Sequence, residues 1–330
     1  MNKKVIPDIS NSENQHSTFN IQHSPYDLAV IGGGPAGVAA GVYAARKKIK
    51  TVFITESFRN QSVVSNNIQN WIGTVSISGE DLAKNLEKHL KSLAGDIIDI
   101  KEKETVTNIK KNNDGLFTIT TDKNIYNSRT ILIASGSVRR KIKIKGAEEF
   151  EGKGITYCAT CDGPMFADMD VAVIGGGNSA FESASQLLAY AKSVTILQRS
   201  DFKADPITIK KVLSNPKARG ISNIVLLEVK GDKFVSGIVY KDKTTDKIIE
   251  LPVQGIFIEI GANPSVEYIK NGIVELDDKE QIIVDPKTQK TSCVGIWSAG
   301  DCTDGLYKQN NIAVGDAIKA LEDIFRYLKG

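Results

Sequence analysis

Tyr26-Asp27-Leu28-Ala29-Val30-Ile31-Gly32-Gly33-Gly34-Pro35-Ala36-Gly37 is the stretch whose reading decides the fold. A short, mostly apolar strand-forming run enters a G-x-G-x-x-G series. The residues from Pro35 to Lys47 are alanine-rich, with Val38, Val42 and Ala45 on one helical face. Thr51-Val52-Phe53-Ile54-Thr55 reads as the next strand and ends at Glu56, 24 residues beyond Gly32. Strand, glycine turn, helix, strand and acid together make the dinucleotide-binding βαβ unit. In such a unit Gly32 makes the tight turn, Gly34 lets the backbone approach a diphosphate, and Gly37 lets the helix pack closely. The helix N-terminus favours the negative charge, and Glu56 is placed to accept hydrogen bonds from a ribose.

The pattern recurs. Asp170-Val171-Ala172-Val173-Ile174 feeds Gly175-Gly176-Gly177-Asn178-Ser179-Ala180, helix formers run to about Ala191, and Ser193-Val194-Thr195-Ile196-Leu197 follows. The repeat implies two nucleotide sites. The second unit departs from the first at its far end, where Gln198-Arg199-Ser200 supplies no carboxylate for a ribose. Arg199 could contact a 2′-phosphate, stack on adenine, or be a surface arginine; the sequence leaves these open.

Cys158-Ala159-Thr160-Cys161-Asp162-Gly163 lies between the two fingerprints. Two cysteines at this spacing can close a small disulfide ring, with depressed thiol pKa values, and pass two electrons. A zinc site would need further ligands, yet Cys293 and Cys302 are nine apart and His16, His23 and His89 are scattered. No metal is expected. Four cysteines in 330 residues do not make a secreted disulfide scaffold. A redox disulfide between two dinucleotide sites reads as an electron relay.

The chain is long for one core, so two domains are expected. A net charge of +3 with 25% charged residues argues for neither a nucleic-acid nor a membrane partner. No apolar run approaches a membrane span. Residues 1–24 are polar and rich in Asn, Ser and Gln; they read as a disordered tail with no signal peptide, and a cytoplasmic protein is expected. Residues 80–93 read as an amphipathic helix carrying Leu82, Leu86, Leu90 and Leu93. Residues 106–111 and 116–121 form a hairpin across Asn112-Asn113-Asp114-Gly115. A strand at 130–134 runs into Ser135-Gly136. The basic run Arg139, Arg140, Lys141, Lys143 and Lys145 reads as a solvated linker face. Residues 224–229, 234–240 and 247–251 look like a meander, and 255–260 like the closing strand of the second unit. Strands at 281–284 and 295–299 and a helix at 311–328 end the chain. The expected class is α/β, with two Rossmann-like dinucleotide-binding domains and the second inserted into the first. Residues 25–138 and 263–330 are expected to form the first domain, and 139–262 the second, which carries the redox pair.

With Gly300-Asp301-Cys302 and Tyr307-Lys308-Gln309 added, residues 26–328 resemble the low-molecular-weight thioredoxin reductases. They look equally like the flavoprotein part of alkyl hydroperoxide reductase. The resemblance implies FAD at Gly32, Gly34, Pro35, Ala36, Gly37, Glu56, Gln61, Asn70, Gly136, Gly300, Asp301, Lys308 and Gln309. It implies a nicotinamide dinucleotide at Gly175, Gly177, Asn178, Ser179, Ala180 and Arg199. It further implies that Cys161 faces the flavin, that Cys158 exchanges with a thioredoxin-like partner, that Asp162 handles the proton, and that the enzyme is a homodimer. Gln198-Arg199-Ser200 replaces the family's His-Arg-Arg run, and the acid of NADH-using relatives is also absent, so NADPH is expected with NADH open. Arg59-Asn60-Gln61 replaces Gly-Gly-Gln beside the flavin. Only a polar tail precedes Tyr26, so a separate thioredoxin-like protein is expected to receive the electrons. The reading is an FAD-dependent thioredoxin-disulfide reductase. Its rivals are an NADH-dependent reductase of a peroxiredoxin system, a ferredoxin-fed reductase, a dithiol oxidase, and a non-enzymatic flavin-bearing redox sensor. Cys293 and Cys302 are assigned to packing.

Overall fold

The first glycine turn joins β1 (Tyr26–Ile31) to α1 (Pro35–Arg46), which returns the chain to β2 (Thr51–Thr55), parallel to β1 with Val30 opposite Phe53. The computed structural model describes residues 24–65 and 67–330, so nearly all of the expected tail lies outside the described residues. After β2 come α2 (Gly79–Ala94), β3 (Ile98–Glu102), the hairpin β4 (Val106–Lys111) and β5 (Phe117–Thr121), and β6 (Ile125–Ile133). These strands make a seven-stranded sheet in the order β3-β2-β1-β6-β5-β4, with β17 (Ile296–Ser298) pairing β6. All of its pairings are parallel except those of the β4–β5–β6 hairpins.

The chain then crosses through β7 (Ser137–Arg139) to β8 (Ile155–Thr156), α3 (Ala159–Asp162), β9 (Asp170–Ile174), α4 (Asn178–Leu187), β10 (Ser193–Leu197), α5 (Pro206–Leu213) and β11 (Ala218–Ile221). The meander β12 (Ile224–Gly231), β13 (Val235–Asp242) and β14 (Ile248–Pro252) precedes β15 (Gly255–Ile258) and the return segment β16 (Ala262–Pro264). A five-stranded parallel sheet results, in the order β11-β10-β9-β15-β8. Its strands fall in sequence between β6 and β17, so the second unit is inserted into the first. The outgoing and returning segments pair with each other: β7 and β16 are antiparallel, with Arg139 opposite Ala262 and Ser137 opposite Pro264.

One face of the first sheet packs on α1, α2 and α6 (Asn310–Lys329), burying Val38, Val42, Phe53, Leu90, Trp297, Leu321 and Ile324. A large side chain as fully buried as Phe53 contributes about 1.5–3 kcal/mol. Trp297 keeps its Nε1–H satisfied by donating to Asp323 at 3.1 Å. The final helix and β17 thus complete the first unit.

Three expectations need correction. Residues 281–284 form no strand: only Ile282 is buried, and it makes isolated bridges to Leu276 and Thr303. One inward residue cannot hold a ladder. Leu93, in the last turn of α2, reaches solvent at 37% exposure while Leu82 and Leu90 are buried. The basic run is not a free face. Arg139 is half-buried between the units, Arg140 Nε donates to Asn263 Oδ1 at 2.9 Å, and Lys141 pairs with Glu151 at 2.6 Å.

Candidate functional site: two dinucleotide cavities and a disulfide

Each fingerprint folds a glycine into left-handed backbone beneath a carbonyl of the adjoining strand end. A Cβ on Gly32 (φ 118°) would lie 2.2 Å from Ala134 O, and one on Gly175 (φ 143°) would lie 2.2 Å from Glu259 O. At Gly37 a Cβ would sit 1.9 Å from Gly32 O, so glycine alone lets α1 start this close to its turn. Gly34 and Gly177 differ, because they face open space: the first would meet only Asn60 Cβ at 3.9 Å, the second nothing within 4 Å. Both helices begin with no side-chain cap, leaving their first N–H groups for an anion.

Beside the first turn lies a cavity of about 850 Å³. Of the sequence-predicted residues, Gly32, Gly34, Pro35, Ala36, Glu56, Gln61, Gly136, Gly300 and Asp301 line it. Gly37 lies behind the turn, and Asn70, Lys308 and Gln309 are not in its walls. Asp301 makes no hydrogen bond among the described residues; burial pushes its carboxyl up, while Lys308 and Arg139 pull it down. Burial likewise lowers the Lys308 ammonium, whose Nζ donates to Thr303 O at 2.5 Å. Sequence reasoning did not name Glu104 or Tyr268 in this wall, and no local pattern marks either one. The Glu104 carboxylate accepts from Tyr126 at 2.9 and 3.0 Å, from Thr121 at 2.9 Å and from Asn124 at 3.0 Å. The cavity's residues fit FAD. The uncapped helix end, the open space over Gly34, and the Asp301 carboxylate and Asn60 Nδ2 group, unpartnered among the described residues, leave donors and acceptors for a long polar ligand.

Cys158 and Cys161 are joined as a disulfide with Cα atoms 5.3 Å apart, and Cys158 Sγ accepts from Cys161 N at 3.1 Å. The pair belongs to the inserted unit but rests against the first one. Asn70 Nδ2 reaches Cys161 Sγ at 3.8 Å and donates to Gln309 Oε1 at 3.2 Å, so these three predicted residues meet. Asp162 is buried beneath them, accepting from Ser65 Oγ at 2.6 Å across the units and from Thr156 Oγ1 within its own. Gln61 turns to the crossing strand: Nε2 donates to Ser137 Oγ at 3.1 Å, and Oε1 accepts from Arg139 Nε at 3.1 Å. Arg139 in turn donates to Tyr157 O and lies 5.7 Å over the Tyr157 ring. Of the free cysteines, Cys302 is buried and Cys293 half-buried; burial pushes both thiols up.

The second cavity, about 530 Å³, is lined by Gly175, Gly177, Ser179 and Arg199. Asn178 and Ala180 are not in it: Asn178 Oδ1 accepts from Asp205 N at 2.8 Å, and Ala180 is buried behind Gly175. The exposed Arg199 guanidinium has no partner among the described residues, whereas its backbone N donates to Gln198 Oε1 at 3.0 Å. Arg140, Lys203 and Glu259 also line this cavity and were not singled out as ligands. Lys203 is fixed by its backbone N–H, which donates to Gly176 O at 2.7 Å. Its only sequence signal is a cation in the loop after β10. Burial pushes the Glu259 carboxyl up, and Ser183 donates to it at 2.6 Å. The two cavities share no lining residue. Among the described residues no cluster of His, Cys, Asp and Glu could hold a metal ion, and no helix is long and apolar enough to cross a membrane.

A family model described as pyridine nucleotide-disulphide oxidoreductase matches residues 26–317. The chain is 37% identical over 310 residues to the NADH dehydrogenase of Bacillus subtilis (strain 168), covering 92% of this chain and 59% of that one. It is 39% identical over 306 residues to an alkyl hydroperoxide reductase component of Pseudomonas putida, covering 92% and 58%. The chain therefore spans less than two thirds of the length of these relatives. The solved thioredoxin reductase of Streptococcus pyogenes MGAS5005 superposes with a TM-score of 0.86 at 31% identity, over 93% of this chain and 99% of that one.

Proposed function

This chain belongs to the pyridine nucleotide-disulphide oxidoreductase family, and from that premise we propose that it is an FAD-dependent reductase that carries electrons from NADPH through Cys158–Cys161 to a thioredoxin-like protein. One observation carries this reading above the others. The disulfide belongs to the unit with the smaller cavity yet lies against Asn70 of the unit with the larger one. FAD, when bound, supplies the conversion of a nicotinamide hydride into two electrons for a disulfide. Gly32, Gly34, the start of α1, Glu56 and Asp301 would hold it.

The chain's own thiols do the rest. Once the pair is reduced, Cys158 can attack a partner's disulfide, releasing one partner thiol and forming a mixed disulfide. Cys161 then attacks Cys158 Sγ, releasing the second thiol and restoring the Cys158–Cys161 bond. Asp162, next to Cys161, takes and returns the proton. While Cys161 rests beside Asn70 the pair faces the first unit, so exchange requires the inserted unit to turn away. The turn breaks the Ser65–Asp162 and Gln61–Arg139 bonds and leaves β7–β16 as the hinge, which divides the chain into residues 25–138 with 263–330 and residues 139–262. Arg199 and Lys203 at the second cavity, with no carboxylate at the end of β10, favour a 2′-phosphate and so NADPH. We take the working unit as a homodimer in the cytoplasm, by family likeness and because thiols stay reduced there.

A second reading, with NADH as donor and a peroxide-reducing system as destination, is favoured by the names borne by the sequence relatives. Anaerobic, FAD-loaded protein mixed with NADPH or NADH and then with oxidised thioredoxin tests both. Bleaching of the flavin band by NADPH and its return with two thioredoxin thiols per NADPH is expected. Cys158→Ser and Cys161→Ser should accept hydride and fail to turn over. Bleaching without thiol release from any thioredoxin-like protein would sink the proposal, and faster bleaching by NADH would favour the second reading.

A further inference from the structure

Asn60 stands just before the 3-10 turn Gln61–Val64 and lines the larger cavity. Its Oδ1 accepts from Ser62 N at 2.9 Å, which fixes the amide, because turning it over would set one N–H against another. The Nδ2 group is therefore held away from the turn, and it is buried with no hydrogen-bond partner among the described residues. A buried donor left unmade costs about 1–3 kcal/mol. At a cavity wall, such a donor marks where an acceptor belongs.

The position of the amide says which acceptor. Across from it is Gly34, where a Cβ would meet Asn60 Cβ at 3.9 Å and nothing else within 4 Å. Asn60 thus overhangs the uncapped start of α1, where an anion is favoured. The neighbouring polar side chains are already engaged: Arg59 pairs with Glu80 at 2.7 Å, Gln61 holds Ser137 and Arg139, and Asn310 donates to Ser62 at 2.9 Å. Glu56, Glu104 and Asp301 on the same walls are acids and cannot balance a phosphate.

Resting on the FAD reading above, we propose that Asn60 Nδ2 donates a hydrogen bond to the diphosphate of the dinucleotide in the first cavity. Glycine at this position could not make that contact. Asn60→Asp and Asn60→Gly test it together: the first still accepts from Ser62 N but adds a negative charge as it loses the donor, so the uncharged Asn60→Gly decides. Apoprotein is titrated with FAD by fluorescence quenching and with ADP by calorimetry. A hydrogen bond to a charged group is worth about 10–100-fold in affinity. Asn60→Asp should weaken FAD and ADP by a common factor in that range, and Asn60→Gly should weaken both by about tenfold. Asn60→Asp should not melt below the wild-type apoprotein, since it removes the orphaned donor and keeps the acceptor for Ser62 N, whereas Asn60→Gly also loses that acceptor and should melt slightly lower. FAD and ADP affinities within twofold of wild type would overturn the proposal, as would a loss for FAD without a loss for ADP. A wild-type protein that binds neither ligand would sink the FAD reading itself, a result distinct from either of these.

Discussion

The two βαβ units are built on one backbone plan and equipped with opposite charge. Gly32 and Gly175 turn under carbonyls 2.2 Å from where a Cβ would be, and α1 and α4 both start uncapped. Yet the first cavity is walled by Glu56, Glu104, Glu267 and Asp301 against the one cation Arg59, and the second by Arg140, Arg199 and Lys203 against the one acid Glu259. Backbone geometry makes a dinucleotide site. Side chains at the strand ends and in the loops decide which dinucleotide. The units also differ in burial: most of α1 is enclosed between the sheet, α2 and α6, whereas α4 keeps a more exposed face.

The largest effect should come from breaking the shared plan at its tightest point. Gly37→Ala sets a Cβ 1.9 Å from Gly32 O and should cost the apoprotein roughly 4 kcal/mol or more in chemical denaturation. Gly177→Ala, with nothing within 4 Å and φ −92°, should stay within about 0.5 kcal/mol of wild type. Equal losses would show that the glycines do not divide into packing and approach roles.

Next in size, the open glycines should separate the ligands. Gly34→Ala should weaken FAD roughly tenfold or more and leave nicotinamide dinucleotide binding unchanged, and Gly177→Ala should do the reverse. A Gly177→Ala protein that loses FAD instead would assign the cavities the other way round.

Charge comes third. Arg199→Ala and Lys203→Ala should each raise the KM for NADPH about tenfold, the worth of one charge-assisted hydrogen bond, and change that for NADH less than about twofold. Equal effects on both donors would mean these cations do not read a 2′-phosphate.

The smallest effect concerns one carboxyl in each unit. Burial raises Asp301 and Glu259, so folding binds their protons more tightly than the unfolded chain does. Their favourable contribution is fully present below the unfolded carboxyl values, about 4, and is lost as pH rises through the raised values. Asp301→Asn and Glu259→Gln should therefore raise the melting temperature of the apoprotein at pH 8, and the gain should vanish below about pH 4. A gain that persisted at low pH would show the effect to be packing.

The glycine fingerprints, their strands and the redox pair were legible because each rests on local rules: period-two or helical apolar patterning, and turns that only glycine can make. The approach of Asn70 to Cys161 spans 91 residues and that of Ser65 to Asp162 spans 97, and no pattern along the chain records them. Asn178 and Ala180 belong to the fingerprint in sequence but do not line the cavity, because Ala180 is buried behind Gly175 and the exposed Asn178 side chain turns to Asp205 N. Arg139 read as one cation of a solvated run. Only the pairing of β7 with β16 sets it between Gln61 and Tyr157.

Residues taken in order were enough for two dinucleotide units, the insertion of one in the other, and a cysteine pair between them, since steric limits at glycine and side-chain periodicity act over a few residues. Tertiary packing alone brought the disulfide to rest against the first unit, set mostly acids around one cavity and mostly cations around the other, and left the Asn60 Nδ2 donor without an acceptor among the described residues. Those are consequences of which distant surfaces come within hydrogen-bonding distance, and that is set by how the two sheets and their crossing strands pack.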